Sequence, residues 1–425
     1  MRPNPTLPLV LAALALSPVA DAGWKLKPGK TKIESLPSGG ASPDLHSSHA
    51  PTISADGKQL LFMSNVAELT GDTSYPGAQI LWRNRETGAT SIVSLTKAGA
   101  PIPVTVQDAR ISADGEYAVF TTAAADIVDG ITIPDVEGHH DVFRVHLATN
   151  TIVRVSVTHD LKEPDKSCGA PDISADGRYV VFTTPASNML ATPVAAEVQV
   201  YRKDMHTGDL ALVSAANGGA SGDDNSIHPR ISADGQRVTF SSRAANFGAA
   251  PAGGAYECWV RDMQAGTTEH ASPAKQGGAS EEGAIGAVIS GHGRYVAFTS
   301  RSNDLPGGAG KDGESLYVRD LKKGKTVRVP VAAKTGAVVS ATSFSSSRYL
   351  TFTRSTLGDI RMYVYDVKKG KVQSIGRNSK GKKANGPTWR PAISANGKVV
   401  AFQSRATNLG PDKDEHIDVF VRRWK

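Results

Sequence analysis

Ile173-Ser-Ala-Asp-Gly-Arg-Tyr-Val-Val-Phe182 reads as a β-hairpin turn followed by its returning strand. Serine and aspartate bend the chain through local side-chain hydrogen bonds. Glycine accepts the positive φ that a tight, bulged turn demands, so the segment before the turn folds back onto the one after it. Tyr-Val-Val-Phe is aromatic and β-branched, the composition of a strand packed on both faces. The same unit begins at Ile53, Ile111 and Ile231, with Ile289-Ser-Gly-His-Gly293 and Ile393-Ser-Ala-Asn-Gly397 as variants. Its closing phenylalanine returns seven times, at Phe62, Phe120, Phe182, Phe240, Phe298, Phe352 and Phe402. One supersecondary unit is thus repeated along nearly the whole chain.

Downstream of each such phenylalanine comes another apolar run, such as Ile80-Leu-Trp82, Cys258-Trp-Val260 or Val419-Phe-Val421, which predicts a third strand. A turn with glycine or asparagine at one place follows (Gly88, Asn150, Gly208, Gly266, Gly324, Gly370), then a fourth strand such as Ile92-Val-Ser94. Asparagine is the residue that best replaces glycine in the left-handed region. Four antiparallel strands, seven times over, predict an all-β chain folded as a seven-bladed β-propeller. The last repeat ends after its third strand. Near the start, Ile33-Glu-Ser-Leu-Pro-Ser-Gly-Gly40 matches the fourth strand and exit loop Ile92-Val-Ser-Leu-Thr-Lys-Ala-Gly99, so the N-terminal strand is expected to complete the last blade and close the ring. The sixth repeat carries Ser343-Phe-Ser-Ser-Ser-Arg348 without a turn glycine, and a poorer hairpin is expected there.

Residues 1–22 have the charged, apolar and small-residue regions of a secretory leader, with cleavage expected after Ala22, leaving 23–425 as a single propeller domain. The apolar run is too short to span a bilayer, so a periplasmic or secreted monomer is expected. Of the two cysteines, Cys258 takes a position held elsewhere by Ile80, Val142 and Val200, which predicts a core residue; Cys168 falls in the approach to the third blade, and nothing in the spacing decides whether the two are bonded. The formal net charge is +7, with lysines concentrated at Lys322, Lys323, Lys325, Lys368, Lys369 and Lys371 and on to Lys383. Lysine on an outer strand guards against edge pairing; the same cluster also suits an anionic partner such as an acidic polysaccharide, an outer-membrane surface or a phosphate-bearing polymer. Nucleic acid is not expected.

Propeller ligand sites are built from the loops between second and third strands and between blades, at the mouth of the central channel. Arg243, Arg301 and Arg405 stand three residues after the repeated phenylalanine in three blades, and an arc of guanidinium groups there would bind carboxylates or phosphates. His49 and His228 are placed in loops of that face and complete the candidate ligand-binding set. His139, His140 and His416 fall on the same face, beside Asp412 and Asp414, which raises a multi-blade metal site as an idea to weigh; no metal residue, catalytic residue or cofactor is assigned. No G-x-S-x-G, H-E-x-x-H, C-x-x-C or phosphate-loop motif occurs.

The I-S-A-D-G-[KR]-Y-V-x-F unit, carried most clearly by Asp56, Gly57, Asp114, Gly115, Asp176, Gly177, Asp234 and Gly235, resembles the WD-like propeller repeats of TolB and related exported bacterial proteins over about residues 31 to 425. That resemblance implies a periplasmic propeller that binds other envelope proteins at its channel mouth. TolB-type proteins put an α/β domain ahead of six blades, whereas seven blades and only about eight residues between leader and first strand are read here. The expectation is an exported, non-enzymatic module that binds an envelope protein or anionic glycan through its loop face. The alternative is a propeller enzyme, a metal-assisted lyase or lactonase acting on sugars.

Overall fold

The computed structural model describes residues 29–35, 47–65, 69–70, 77–124, 126–128, 138–194, 197–248, 252–309, 313–331, 337–357, 359–411 and 415–423. The expected leader and the loop acids Asp412 and Asp414 lie outside them. Seven four-stranded antiparallel sheets form a propeller. Their inner strands are Ser48–Ile53, Val106–Ile111, Gly169–Ile173, Ser226–Ile231, Ile285–Ile289, Val338–Phe344 and Thr388–Ile393. In the last blade Thr31–Ile33 pairs antiparallel with Asp418–Arg423, Ile33 opposite Phe420, so the N-terminal strand supplies the outer edge as the repeat pattern predicts.

Each I-S-A-D-G turn is locked by the same hydrogen bonds. The Ser54 hydroxyl donates to Asp56 Oδ1 (2.7 Å), the Lys58 amide donates to the same oxygen (2.9 Å), and the Gln59 amide donates to Ser54 Oγ (3.0 Å). The glycines take φ between 65° and 80°.

The alanine has a different job, which no turn rule explains. Ala55 donates its N–H to Ala113 O (2.7 Å), Asp114 to Ala175 O, Ala175 to Ala233 O, Ala233 to Gly291 O, His292 to Ser346 O, Ser346 to Ala395 O, and Asn396 back to Ala55 O (3.2 Å). One backbone hydrogen bond per blade makes a belt around the axis. Only small side chains line the cavity at that level, Ala55, Ala113, Ala175, Ala233, Gly291, Ser346 and Ala395, because seven turns converge there. A Cβ built on Gly291 would stand 3.6 Å from Ala233 Cβ and 3.1 Å from Ser346 Cα.

The hydrophobic core lies between blades rather than within them. Leu61, Met63 and Ile80 of the first blade pack against Ala118, Phe120 and Phe143 of the second, and the pattern continues around the ring. All seven repeated phenylalanines are fully buried. Five of them stack on the residue directly opposite in the third strand: Phe120 on Phe143, Phe182 on Tyr201, Phe298 on Tyr317, Phe352 on Tyr363 and Phe402 on Phe420, with centroids 5.3–6.0 Å apart.

The sixth blade corrects one expectation. Its hairpin is not poor: the strands Val338–Phe344, Tyr349–Thr356 and Asp359–Asp366 run to 7, 8 and 8 residues, against 6 at most elsewhere. The turn is one residue shorter, with the Tyr349 amide donating to Ser345 Oγ (2.9 Å), so no left-handed glycine is required.

Cys168 and Cys258 are free and buried. Burial pushes the Cys168 thiol up to about 12 and raises that of Cys258 further. Since the thiolate is the reactive form, neither should label with a thiol reagent in native buffer, and both should label on unfolding. Rapid native labelling of either would contradict this placement.

Candidate ligand site in the central channel

The belt of small residues leaves a cavity of about 510 Å³ along the axis, lined by residues of all seven blades. Its chemistry comes from the inner strands. Each contains a one-residue register shift, between His49 and Thr52, Gln107 and Arg110, Gly169 and Asp172, Ile227 and Arg230, Ile285 and Val288, Ala341 and Ser343, and Trp389 and Ala392. In six blades one residue of the bulge takes a left-handed φ: Ala50 (51°), Asp108 (53°), Ala170 (51°), His228 (55°), Gly286 (71°) and Arg390 (49°). Bulges re-aim side chains, and left-handed non-glycine residues cost on the order of 1–3 kcal/mol each. Three of the five, Ala50, Asp108 and Arg390, line the cavity themselves.

Arg110, Arg230 and Arg390 line the cavity with Asp108 and Asp172. Among the described residues none of the three arginines makes an ion pair. Arg110 Nη1 donates to the carbonyl of Ala109 (3.0 Å) and Arg230 Nη1 to that of Pro229 (2.8 Å), so each guanidinium folds back on its own backbone and keeps other N–H groups uncommitted. Asp172 accepts instead from the Ile231 amide of the next blade (3.0 Å). Burial first, then the neighbouring Arg230, pulls the Arg110 guanidinium down to about 10, with Asp172 and Asp108 opposing. The group stays protonated at neutral pH, in a setting that favours any incoming anion.

His49 and His228 correct a second expectation. They sit in inner strands rather than loops, on the first and fourth blades. Burial and then Arg390 hold the His49 imidazole below its ordinary value; burial and then Arg230 do the same for His228, with Asp108 opposing.

The rim arginines are placed differently. Arg243, Arg301 and Arg405 follow the second strands of the fourth, fifth and seventh blades, and none lines the cavity. Arg243 stacks over Tyr256 (4.7 Å), donates to its hydroxyl (3.2 Å) and lies 4.0 Å from Asp224. Arg301 and Arg405 are exposed, and no hydrogen bond or ion pair joins the three.

The channel arginines carried a readable signal. Proline is tolerated inside a sheet only at edges and bulges, and Pro51, Pro171, Pro229 and Pro391 interrupt four inner strands next to the left-handed residue. Those prolines mark the bulge beside Arg230 and Arg390, whereas the strand of Arg110 has none; of the residues flanking them, Ala50, Thr52, Asp172, Arg230, Arg390 and Ala392 line the cavity, and Ala170 and His228 do not.

No protein-family model matches the sequence, and no curated protein matches it. Solved structures match in shape. An oligogalacturonate lyase in complex with manganese is similar over 94% of this chain and 98% of its own, with TM-score 0.56 and 13% identity. The β-propeller domain of the Trilobed protease from Pyrococcus furiosus is similar over 90% and 94%, with TM-score 0.55 and 12% identity. TolB from Acinetobacter baumannii is similar at TM-score 0.43 and 12% identity over 77% of this chain, which spans 62% of that protein. At these identities the likeness shows the β-propeller fold alone. Among the described residues no three His, Cys, Asp or Glu side chains gather as a metal site. The cavity pairs two aspartates with three arginines, and a guanidinium majority repels a divalent cation, so the described lining does not fit manganese.

Proposed function

We propose that this chain is an exported recognition module whose central channel, entered from the loop face, takes an anionic segment of an envelope protein or glycan and does no chemistry on it. The observation that carries this reading is the convergence of Arg110, Arg230 and Arg390 on one cavity without ion-pair partners. A guanidinium offers a planar fork that matches a carboxylate, and inside a cleft its field is little screened. Arg301 and Arg405 on the rim steer an acidic ligand toward the mouth and affect association rate more than residence. The periplasm or the cell exterior is the setting, and no described helix is long and apolar enough to cross a membrane.

Capture from an envelope extract tests the reading. Arg110→Gln with Arg230→Gln should reduce capture at least tenfold, while Arg301→Ala with Arg405→Ala should weaken it only a few-fold and mainly at low salt. Undiminished capture by the channel variant would remove the channel from the proposal.

A pH dependence follows from the two histidines. Their folded values lie below 6.5, so the stability they permit is complete above pH 6.5 and lost as pH falls through the depressed folded values, where the unfolded chain binds more protons. Neither imidazole lines the cavity itself, but an anion held by Arg230 and Arg390 offsets the charges that, after burial, depress His228 and His49 and so favours their protonated forms, and binding takes up protons. Affinity should therefore rise between pH 7.5 and 5.5, and His49→Gln with His228→Gln should flatten that rise. Calorimetry in buffers of different ionisation enthalpy measures it, and a slope unchanged in the double variant would refute the assignment.

A further inference from the structure

The face that carries the I-S-A-D-G turns has a second concave surface. A cavity of about 570 Å³ lies beside the I-S-G-H-G turn of the fifth blade, lined by Arg237, His292, Arg294, Tyr295, Lys322 and Lys368 among others. A second, of about 310 Å³, runs outward between the fifth and sixth blades past Lys323 and Lys325. Tyr295 and Lys368 line both, so the two form one cleft.

Its charge is one-sided. The two carboxylates on the cleft are engaged, Asp320 with Arg294 (2.7 Å) and Glu269 with Arg319 (3.8 Å), and Arg237 pairs with Asp262 (3.3 Å). Lys322, Lys325 and Lys368 are exposed and have no ion-pair partner among the described residues.

Edge protection accounts for Lys325, which lies on the outer strand Lys325–Arg328, but not for Lys322 and Lys368, which lie in turns. The equivalent turn positions in the first four blades hold Glu86, Ala148, His206 and Gln264. The turn is held by the Asn or Asp that opens it and not by the side chain at this position: the Glu86 amide donates to Asn84 Oδ1 (3.0 Å), the Gln264 amide to Asp262 Oδ1 (3.1 Å), the Lys368 amide to Asp366 Oδ1 (3.1 Å) and, in the fifth blade, the Lys323 amide to Asp320 Oδ1 (3.3 Å). Folding thus leaves these two side chains undetermined.

We infer that this cleft is a second binding site, for a linear glycan bearing carboxylates. Tyr295, half-buried where the cavities join, lies under the Arg294 guanidinium (5.1 Å) and against the core, so it forms a firm floor with a cationic edge, and the lysines on either side are placed to meet charges spaced along a chain. A membrane surface fits less well, because the cleft is concave and the large exposed apolar side chains, Val104, Leu161, Val338 and Leu357, are not among its lining.

The site is tested on the full chain carrying Arg110→Gln and Arg230→Gln, so that the channel does not contribute, with a size-defined oligogalacturonate as probe. Adding Lys322→Ser and Lys368→Ser should weaken binding at least tenfold without changing thermal unfolding, since both side chains are exposed. Affinity that survives both serines overturns the inference. So does lysine-dependent capture of phosphatidylglycerol vesicles or of single-stranded DNA as strong as that of the oligogalacturonate, since the cleft would then be reading charge alone.

Discussion

Removal of residues 29–35 is expected to destabilise the ring by on the order of 5 kcal/mol or more, a large share of the whole stability of an ordinary domain. The segment is short, but the groups that depend on it are buried. Glu34 is fully buried and accepts from Arg83 Nε (3.2 Å) and Arg85 Nε (3.0 Å) of the first blade. Without it two largely buried guanidinium groups lose the only ion-pair partner they have among the described residues, and breaking a buried pair from one side costs about 3–5 kcal/mol. Ser35 donates to Asp418 Oδ1 (2.6 Å), and Thr31 Oγ1 accepts from the buried Arg422 Nη1 (2.7 Å). Deletion also bares the edge of Asp418–Arg423, which invites pairing between molecules. The variant should melt well below the parent and associate with rising concentration. A synthetic peptide of residues 29–35 added in trans should restore part of the loss, whereas Glu34→Ala alone should reproduce about 3–5 kcal/mol of it. A melting point that the deletion leaves unmoved would show that the ring holds without its closing strand.

The closure was legible because Ser35 matches Ser94, and the structure gives both serines one role. The Ser94 hydroxyl donates to Gln79 Oε1 (2.7 Å) and accepts from the Ile80 amide (3.0 Å); the Ser35 hydroxyl donates to Asp418 and accepts from the Val419 amide (3.0 Å). Repetition makes such roles visible, because seven copies average away whatever is particular to one blade. The same averaging hides the site. Arg110 and Arg230 stand where other blades hold Thr52, Asp172, Val288 and Ala392, and Arg390 stands where they hold Ala50, Asp108, Ala170, His228 and Gly286, so the arginines appear as noise in the repeat, and their convergence depends on a bulge that six blades build mostly without glycine. His49 and His228, which the sequence places in loops, lie instead in the inner strands beside the bulge and outside the cavity lining. The sixth blade misled in the opposite direction: a missing glycine looked like damage, but a four-residue path from Ser345 to Tyr349 removes the need for positive φ.

The turn glycines answer to two constraints, and a comparison of two of them separates these. Gly235 has φ 72°, and a Cβ there would stand 2.1 Å from Tyr179 Cδ2 in the preceding blade. Gly208 has φ 84° with nothing within 4 Å. Gly208→Ala should therefore cost only the left-handed backbone term, about 1–2 kcal/mol. Gly235→Ala adds overpacking against a ring that is not free to move, for about 2–5 kcal/mol in all. Tyr179 is held between Arg178 (4.8 Å) and Arg202 (4.4 Å), and Arg202 Nη1 in turn donates to the Gly235 carbonyl (2.6 Å), so displacing the ring disturbs the contact that joins the two blades. In a Tyr179→Ala background the clash is gone, and Gly235→Ala should fall to the cost seen at Gly208. Denaturant unfolding of the four proteins gives a coupling energy of about 1–3 kcal/mol on this account. A coupling near zero would mean that the glycine is required by its own turn alone. The blade-to-blade contact would then be a consequence of the motif rather than a reason for it.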